Sequence, residues 1–316
     1  MIKTATTSLS ALAVLAAANS IWVGTANADL LAYEGFDYER VQYRTDTAKS
    51  TEAEQMGGIA GLNGGIGFAG AWRTDSTWDN GIATAGTDYP TPGLPTDART
   101  SPASYTDSQS KTLEQQGNAL RTGFANYTRS HRTLNEELGA AGTEVWISFI
   151  AQAFGDRGSR YSFVSFGKGG DGEAGSPGGN LRMGMDSSAS TKWNVQQEGH
   201  GSAEGTIDSG SIVMYLARIQ FNDFDPFNPS GGKDKIDVWF NPDLENAPVG
   251  NGDLSFDLED DLKIDSITVW SRYSTDFDEI RIGTTFDDVT PVAVPEASAA
   301  SLLIGFGTIL GLRRKH

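Results

Sequence analysis

The sequence contains no cysteine and only three histidines, His131, His200 and His316, among its 316 residues. The lack of cysteine excludes disulfide bridges, zinc–thiolate sites and cysteine nucleophiles. With so few histidines, a Ser–His relay has almost no residues from which to form. The Gly-x-Ser-x-Gly turn of many serine hydrolases is also absent. The sequence therefore offers no support for thiol chemistry or for a serine hydrolase.

Basic residues are scarce relative to acidic ones. The chain carries 24 Lys and Arg against 41 Asp and Glu, which gives a formal net charge of −17 at pH 7. Binding to a nucleic-acid backbone needs clustered cations, and the central part of the chain has no such run. The sequence therefore excludes nucleic acid as a partner, while its carboxylates remain available for divalent cations.

The first 28 residues have the three parts of a secretory signal peptide. A single charge at Lys3 precedes an apolar run over residues 9–18, and Ala26-Asn27-Ala28 supplies the small residues of a cleavage site. We predict cleavage before Asp29. The domain that follows, residues 29–292, is therefore expected to leave the cytoplasm.

Residues 293–316 predict a tail with a membrane-spanning helix. Residues 297–312 are uncharged, and the three cations Arg313, Arg314 and Lys315 follow them directly. As a helix this run would extend over roughly 24 Å, somewhat less than a hydrocarbon core of about 30 Å. The basic cluster predicts a cytoplasmic C-terminus with the domain outside. In the alternative interpretation, this last helix packs against the domain.

The tail resembles the PEP-CTERM sorting signal, in which a Pro-Glu-Pro motif precedes a transmembrane helix and an Arg-rich end. The motif here is Pro295-Glu296-Ala297, so that Ala297 stands where the third residue is usually Pro. The resemblance covers about the last two dozen residues. It implies recognition by an exosortase, cleavage near Pro295 to Ala297, and delivery to the outer surface or the extracellular polysaccharide of a Gram-negative bacterium.

The central domain has the pattern of an all-β protein. Short β-branched and aromatic stretches recur between Gly, Asn, Asp, Ser and Pro. They predict strands at 30–36, 69–73, 118–124, 143–153, 161–166, 181–185, 192–195, 211–221, 235–240, 263–273 and 279–283. The one helix signal is a capping box, Thr133-x-x-Glu136, before Leu138 and Gly139. Many strands with almost no helix predict a sandwich of two antiparallel sheets.

Several motifs of this domain resemble concanavalin A-like (LamG-like) jelly rolls. They include Tyr33-Glu34-Gly35-Phe36-Asp37-Tyr38, Gly65-Ile66-Gly67-Phe68-Ala69-Gly70-Ala71-Trp72, Val145-Trp146-Ile147-Ser148-Phe149, Leu216-Ala217-Arg218-Ile219, Val238-Trp239-Phe240-Asn241-Pro242 and the segment from Asp276 to Thr285. The resemblance implies two curved antiparallel sheets with the first and last strands adjacent. It implies no single activity, because this fold hosts lectins, glycosidases and structural modules.

The glycines Gly65, Gly67 and Gly70 have the spacing of a dinucleotide-binding fingerprint. That fingerprint follows a buried strand and opens a helix. Here a Gly- and Asn-rich stretch precedes the glycines and Ala71-Trp72-Arg73 follows them. We therefore interpret the motif as the bulged start of a strand.

Two tryptophans predict a carbohydrate-binding surface. Because side chains alternate along a strand, Trp239 shares a face with Asp237, and Trp270 shares a face with Thr268 and Arg272. A tryptophan among polar neighbours suits stacking on a sugar ring. The sequence therefore predicts Trp239, Trp270 and Arg272 as carbohydrate-binding residues. In the alternative interpretation, a covering loop buries the two tryptophans.

The acidic residues near the two ends of the domain predict a calcium site. If the first and last strands pair, Glu34 meets Asp278 or Glu279, and hard oxygen ligands suit Ca²⁺. In the alternative interpretation, these carboxylates are simply solvated.

The sequence thus predicts a secreted, surface-sorted, non-catalytic protein that is associated with extracellular polysaccharide and binds it weakly. The Glu-x-Asp-x-(x)-Glu pattern of jelly-roll glycosidases is absent. One alternative is a polysaccharide hydrolase or lyase that uses Asp37, Glu39 or the acids between Asp276 and Glu279. The other alternative is a purely structural matrix protein.

Overall fold

The computed structural model describes residues 30–38, 59–74, 81–83, 104–122, 128–153, 162–168, 181–185, 191–208, 210–222, 232–271 and 275–293. The predicted signal peptide lies outside these residues. So does the tail from residue 294, with Pro295, Glu296, Ala297, Arg313, Arg314 and Lys315. Within the described ranges, no helix has the length and apolar character needed to cross a membrane.

The described chain forms fifteen strands and one short helix. The strands are β1 (Leu30–Glu34), β2 (Arg73–Thr74), β3 (Gly81–Ala83), β4 (Ala119–Arg121), β5 (Thr128–Leu138), β6 (Glu144–Ala153), β7 (Ser162–Gly167), β8 (Leu181–Met185), β9 (Lys192–Gln197), β10 (Ser202–Asp208), β11 (Val213–Gln220), β12 (Lys235–Phe240), β13 (Leu254–Asp257), β14 (Ile264–Ser271) and β15 (Thr275–Gly283). The helix is α1 (Phe286–Val289), and a capping box between Thr285 and Asp288 begins it.

The strands form two antiparallel sheets, which confirms the predicted all-β architecture. The eight-stranded sheet has the order β13-β12-β11-β6-β15-β4-β3, and β1 also pairs with β15. The seven-stranded sheet has the order β10-β9-β8-β7-β14-β5-β2. The first and last strands are neighbours, as the jelly-roll resemblance implies.

The main hydrophobic core lies between the two sheets. Each strand contributes alternate residues to it, for example Ile236 and Val238 of β12, and Ile267 and Val269 of β14. Side chains from the two sheets meet at Tyr215, whose hydroxyl is fully buried and donates to backbone carbonyls of the opposite sheet. The period of two that sequence analysis assigned to β12 and β14 is therefore correct.

The predicted helix at Thr133–Glu136 does not form, because these residues lie within β5. β5 pairs with β14 along one edge and with β2 along the other, and Leu134 turns inward. A single helical turn is unstable without tertiary support, whereas a paired strand gains hydrogen bonds along its whole length. Thr133 and Glu136 therefore adopt the strand conformation of β5 and do not cap a helix.

The glycines of the apparent dinucleotide fingerprint lie beside β1. Gly65 and Gly67 have positive φ values of 66° and 83°. A Cβ atom at Gly67 would lie 1.9 Å from the carbonyl oxygen of Leu31. These glycines therefore permit close passage of the chain along β1 and open no helix, in agreement with the bulged-strand interpretation.

Two segments cover the outer face of the eight-stranded sheet. Tyr105 and Leu113 pack on Ile150 and Met214, together with Leu244. Beside them, α1 packs on the same sheet through Phe286 and Val289. These two residues belong to a cluster with Trp146 of β6 and Trp239 of β12. That second cluster contains Trp146, Leu216, Trp239, Phe286 and Val289. This sheet is therefore apolar on both faces, while all described hydrophobic clusters lie either between the sheets or on this outer face.

Candidate functional site

The two tryptophans of the predicted binding surface lie in different sheets. Trp239 belongs to β12 of the eight-stranded sheet, and Trp270 belongs to β14 of the seven-stranded sheet. Both point away from the main core, as predicted, but they point outward on opposite sides of the sandwich. Arg272 lies outside the described residues. Trp239 and Trp270 therefore cannot belong to one binding site, and the prediction that they share one is wrong.

Trp239 is buried, with only 8 % of its surface exposed. Its ring stacks on Trp146 at 5.8 Å, and Phe286 of α1 contacts Trp146 edge-on. The guanidinium of Arg218 lies 5.5 Å from the Trp239 ring centroid and donates to Asp237 at 2.7 Å. For Trp239 the structure therefore favours the alternative interpretation, burial, over the prediction of a carbohydrate-binding residue, because a cluster that includes Trp146 and Phe286 of α1 covers it.

Trp270 is partly exposed, within a cluster of aromatic and cationic side chains. In the sheet register it lies opposite Arg129 of β5 on one side and Phe163 of β7 on the other. The rings of Phe163 and Trp270 meet edge-on at 5.2 Å. The guanidinium carbons of Arg129 and Arg182 lie 5.0 Å and 5.6 Å from the Trp270 ring centroid. Arg182 also forms an ion pair with Glu198.

A polar row crosses the whole seven-stranded sheet beside this cluster. The register places one outward side chain from every strand in this row. Its members, in the order of the strands from β2 to β10, are Arg73, His131, Thr268, Ser165, Arg182, Gln196 and Ser202. At about 4.8 Å per strand the row is roughly 29 Å long. We call this row, together with Arg129, Trp270, Phe163 and Asn194 beside it, the polar face.

The polar face carries three arginines. The paired stretches 73–74, 128–133, 162–167, 181–185 and 266–271 contain no acidic residue. They carry Arg73, Arg129 and Arg182 outward, whereas the whole chain has a net charge of −17. The same sheet also carries acidic residues, at Glu136 and Glu137 of β5, Asp265 of β14, and Glu204 and Asp208 of β10, and Glu198 beside β9 pairs with Arg182.

Two amide oxygens on the polar face accept no hydrogen bond from the part of the chain that the structure describes. They are Oδ1 of Asn194 and Oε1 of Gln196. Asn194 is only 3 % exposed, and a buried amide oxygen normally has a donor. Both oxygens are buried, so a ligand does not reach them in this arrangement of the side chains.

The pairing of β1 with β15 occurs as predicted, but it does not bring the proposed calcium ligands into one site. Glu34 accepts hydrogen bonds from Tyr38, at 2.8 Å, and Trp72, at 2.9 Å, and it forms an ion pair with the buried Arg132. In the strand register Glu34 lies opposite Ile280 of the core, whereas Glu279 contacts the hydroxyl of Tyr33 on the other side of the strand pair. Among the described residues, no group of three or more His, Asp or Glu side chains is placed to hold a metal ion.

Asp278 and Glu279 are buried beneath the segment that carries Gln116. Glu279 accepts from the backbone N–H of Gln116 at 2.7 Å and forms an ion pair with Arg281. Burial raises the pKa of Glu279, although the charge of Arg281 opposes the increase. Burial and the adjacent Glu279 raise the pKa of Asp278 well above its ordinary value. These carboxylates are therefore protected from solvent and bound to the protein itself.

The other residues of the catalytic alternative are dispersed. Asp276 is also buried, at 1 % exposure, and Asp37 is exposed at the end of β1. Glu39 lies outside the described residues. A glycosidase needs two carboxyl groups that face each other across an accessible cleft. Of the described acids, Asp276, Asp278 and Glu279 are buried and Asp37 is exposed, so no two of them form an accessible pair across a cleft.

Sequence analysis missed Arg129, His131, Phe163, Arg182 and Asn194. The residues Arg129 and His131 lie in the stretch of β5 just before the predicted helix. The alternation of apolar and polar residues that indicates a strand is missing here, because the inward residue between His131 and Thr133 is Arg132. The charge of Arg132 is balanced by Glu34. The alternation of large outward polar residues in β5 was the available signal.

No protein-family model matches the chain, and no curated protein matches it. Three solved structures illustrate its structural likeness. The globular domain of T. cruzi calreticulin is 10 % identical with a TM-score of 0.43, over 76 % of this chain and 93 % of that chain. Bacillus licheniformis β-glucanase is 9 % identical with a TM-score of 0.34, over 72 % and 99 %. The exoplasmic/lumenal domain of VIP36, in a form bound to Ca²⁺ and Man3GlcNAc, is 6 % identical with a TM-score of 0.34, over 61 % and 86 %. Since these TM-scores lie below 0.5, we base no conclusion about the site on them.

Proposed function

We propose that this protein is a secreted, surface-sorted jelly-roll protein of the concanavalin A-like type that binds extracellular polysaccharide without catalysis. The polar face is its binding surface. The observation that carries the proposal is the cluster of Trp270, Phe163, Arg129 and Arg182 on the sheet face over which the described residues form no hydrophobic cluster.

The chemistry of the polar face suits a sugar polymer. The partly exposed edge of Trp270 offers apolar contact to the C–H surface of a pyranose ring, and guanidinium groups beside it donate hydrogen bonds in fixed directions.

Polysaccharide binding is tested with the purified protein and its Trp270→Ala variant on an array of bacterial and plant polysaccharides. We expect micromolar to millimolar binding by the parent protein and at least a tenfold loss in the variant, since an aromatic contact together with the apolar area that it buries contributes about 1.4 kcal/mol or more. A chelator arm tests the Ca²⁺ expectation for Glu34, Asp278 and Glu279. Release of sugar during the assay would favour the hydrolase or lyase, and no binding at all would favour the structural matrix protein.

Export and sorting form the second part of the proposal. The signal peptide at 1–28 directs export, and the tail from 293 to 316 holds the chain in the inner membrane until an exosortase removes it. Mass spectrometry of the surface-associated protein tests both cleavages. We expect a chain that begins at Asp29 and ends near Pro295 to Ala297, and a cytoplasmic protein that retains residues 1–28 would contradict the proposal.

A further inference from the structure

The last described residues of the chain are fixed on the outer face of the eight-stranded sheet. The segment that follows α1 runs antiparallel to residues 112–114. The backbone N–H of Glu114 donates to the carbonyl oxygen of Pro291 at 2.7 Å. The backbone N–H of Ala293 donates to the carbonyl oxygen of Thr112 at 2.9 Å. The chain therefore leaves the described part of the domain at a fixed point.

The partner of this segment is a hairpin of residues 105–113, which we call the covering hairpin. Val292 forms a β-bridge with Leu113 of the covering hairpin. Both side chains belong to the cluster that packs on Ile150 of β6 and Met214 of β11. The fixed point therefore lies over the middle strands of the eight-stranded sheet, on the side opposite to Trp270.

The covering hairpin is held on this sheet by buried polar groups as well. The hydroxyl of Tyr105 donates to the carbonyl oxygen of Pro242 at 2.6 Å. The carboxylate of Asp107 accepts from the backbone N–H of Leu244 at 2.9 Å. Buried hydrogen bonds of this kind fix the direction as well as the position of the hairpin. The point at which the chain leaves the domain is therefore as rigid as the sandwich itself.

A short tether separates this point from the predicted membrane-spanning run. Residues 294–296 lie between Ala293 and the uncharged run that begins at residue 297. Even when fully extended, the four steps from Ala293 to residue 297 reach at most about 14 Å. Packed layers lie about 10 Å apart, so the outer side of the seven-stranded sheet is roughly 20 Å from the covering hairpin. A tail that spans a membrane therefore keeps the covering hairpin closer to the lipid than the polar face.

The exposed side of the covering hairpin suits a lipid headgroup surface. The exposed residues at its turn are uncharged, although the whole chain has a net charge of −17. They are Thr106, Ser108, Gln109 and Ser110. Lys111 beside them pairs with Glu245 at 2.9 Å. Hydroxyl and amide groups donate hydrogen bonds to headgroup phosphates, and a turn without an exposed acid avoids repulsion by anionic lipids.

From these observations we infer that the tail-bearing protein lies on a lipid surface with the covering hairpin nearest to the headgroups, held there by the short tether, and with the polar face directed away from the membrane. This inference rests on the proposed membrane-spanning tail and adds the orientation of the domain. In this orientation the proposed binding surface faces extracellular polysaccharide even before an exosortase removes the tail.

The test measures the distance of two sites from the lipid. Because the sequence contains no cysteine, one introduced cysteine carries a single fluorophore. Gln109→Cys labels the covering hairpin, and Thr133→Cys labels an exposed outward position of β5 in the seven-stranded sheet. The whole tail-bearing protein is placed in vesicles of phosphatidylcholine and phosphatidylglycerol with a nitroxide quencher on the headgroups. We expect quenching at Gln109→Cys to be at least about threefold stronger than at Thr133→Cys.

An insertion tests the role of the tether. A flexible Gly-Ser insert of about fifteen residues after Ala293 lengthens the tether by roughly 20 Å, and we expect the two sites then to be quenched equally. The same insert after Val249, a loop residue that is 97 % exposed, leaves the tether unchanged and serves as the control. In the control we expect the threefold difference to remain. Circular dichroism and thermal unfolding verify that each variant is folded.

The outcomes separate this inference from the proposed function. Equal quenching at the two sites of vesicle-bound protein would overturn the orientation and leave the membrane-spanning tail intact. Failure of the whole protein to associate with vesicles would overturn both. A difference that persists with the insert after Ala293 would overturn the assignment of the orientation to the tether.

Discussion

The outer face of each sheet combines tryptophan with arginine, but the two tryptophans differ in burial. On the eight-stranded sheet, Trp239 and Trp146 lie under α1, and Arg218 beside them is neutralised by Asp237 of the neighbouring strand. On the seven-stranded sheet, Trp270 lies between two arginines in strands whose paired stretches lack acids. Both outer faces therefore combine tryptophan with a paired arginine, Arg218 with Asp237 and Arg182 with Glu198, but Trp239 is buried in a hydrophobic cluster whereas Trp270 is partly exposed and belongs to none of the described clusters.

The largest expected effect comes from Trp239→Ala on the covered face. Removal of a buried tryptophan leaves a cavity between Trp146, Leu216 and α1, and we expect the free energy of unfolding to fall by about 3–5 kcal/mol. Denaturation by urea measures the change. A loss below about 1 kcal/mol would mean that this face is not packed as described, and the two faces would then be alike.

Asp237→Asn tests the counterion of the covered face. The variant leaves Arg218 next to two rings without its carboxylate, and we expect a loss of about 2–3 kcal/mol at pH 7. Burial alone raises the pKa of Asp237, but hydrogen bonds from Arg218 and Ser255 and the charge of Lys235 outweigh it and lower the pKa below 3.8. The stabilisation is thus complete above pH 3.8 and is lost as pH falls through the lowered pKa.

The difference in stability between Asp237→Asn and the parent protein should therefore shrink below about pH 4. Thermal unfolding between pH 2.5 and pH 7 measures it. The matched variant on the polar face is Glu198→Gln, for which we expect a change of about 1 kcal/mol, because the carboxylate of Glu198 is 16 % exposed whereas that of Asp237 is 1 % exposed. Equal losses in the two variants would contradict the contrast between the faces.

Asp278→Asn tests a buried carboxyl group of the eight-stranded sheet that has no cationic partner as close as Arg218 is to Asp237. Because burial and Glu279 raise the pKa of Asp278, the folded protein binds a proton more tightly than the unfolded chain does. Stability therefore decreases as pH rises from the ordinary value of 3.8 through the raised pKa. We expect the free energy of unfolding of Asp278→Asn to decrease less with rising pH. At pH 8 it should exceed that of the parent protein by about 1–2 kcal/mol. A variant that is less stable than the parent protein at pH 8 would mean that the ionised carboxylate stabilises the fold.

Among the three tryptophan and aspartate variants, Trp239→Ala, Asp237→Asn and Trp270→Ala, the smallest loss of stability is expected from Trp270→Ala on the polar face. No described hydrophobic cluster includes this side chain, so we expect the free energy of unfolding to fall by only about 1 kcal/mol. The same variant loses polysaccharide binding at least tenfold. A loss of stability equal to that of Trp239→Ala would show that Trp270 is a packing residue.

Much of the strand layout follows from local sequence. The stretches 181–185 and 235–240 are strands with the predicted bounds, and the alternation in β12 and β14 assigns the correct faces to both tryptophans. Strands β3, β10 and β13 escaped prediction because they are short or rich in polar residues and depend on a neighbouring strand for their hydrogen bonds. β5 escaped because Arg132 occupies an inward position, where sequence patterns expect an apolar residue.

The candidate site was predictable only in part. Trp270 was found from alternation, but its partners Arg129, Phe163 and Arg182 come from three other strands, and only the register brings them together. Likewise Glu34 looked available for calcium, although Arg132, 98 positions away in sequence, already neutralises it. A pairing over such a distance leaves no periodic signal in either segment.

By itself, the sequence determined that the domain consists of antiparallel strands and which way each tryptophan points, because both depend on the period of two that the extended backbone imposes. The tertiary structure alone decided that Trp239 is buried and Trp270 partly exposed, and that Glu34 is paired with Arg132. Covering segments and counterions reach these side chains from distant parts of the chain, so their effect depends on how the two sheets and α1 pack.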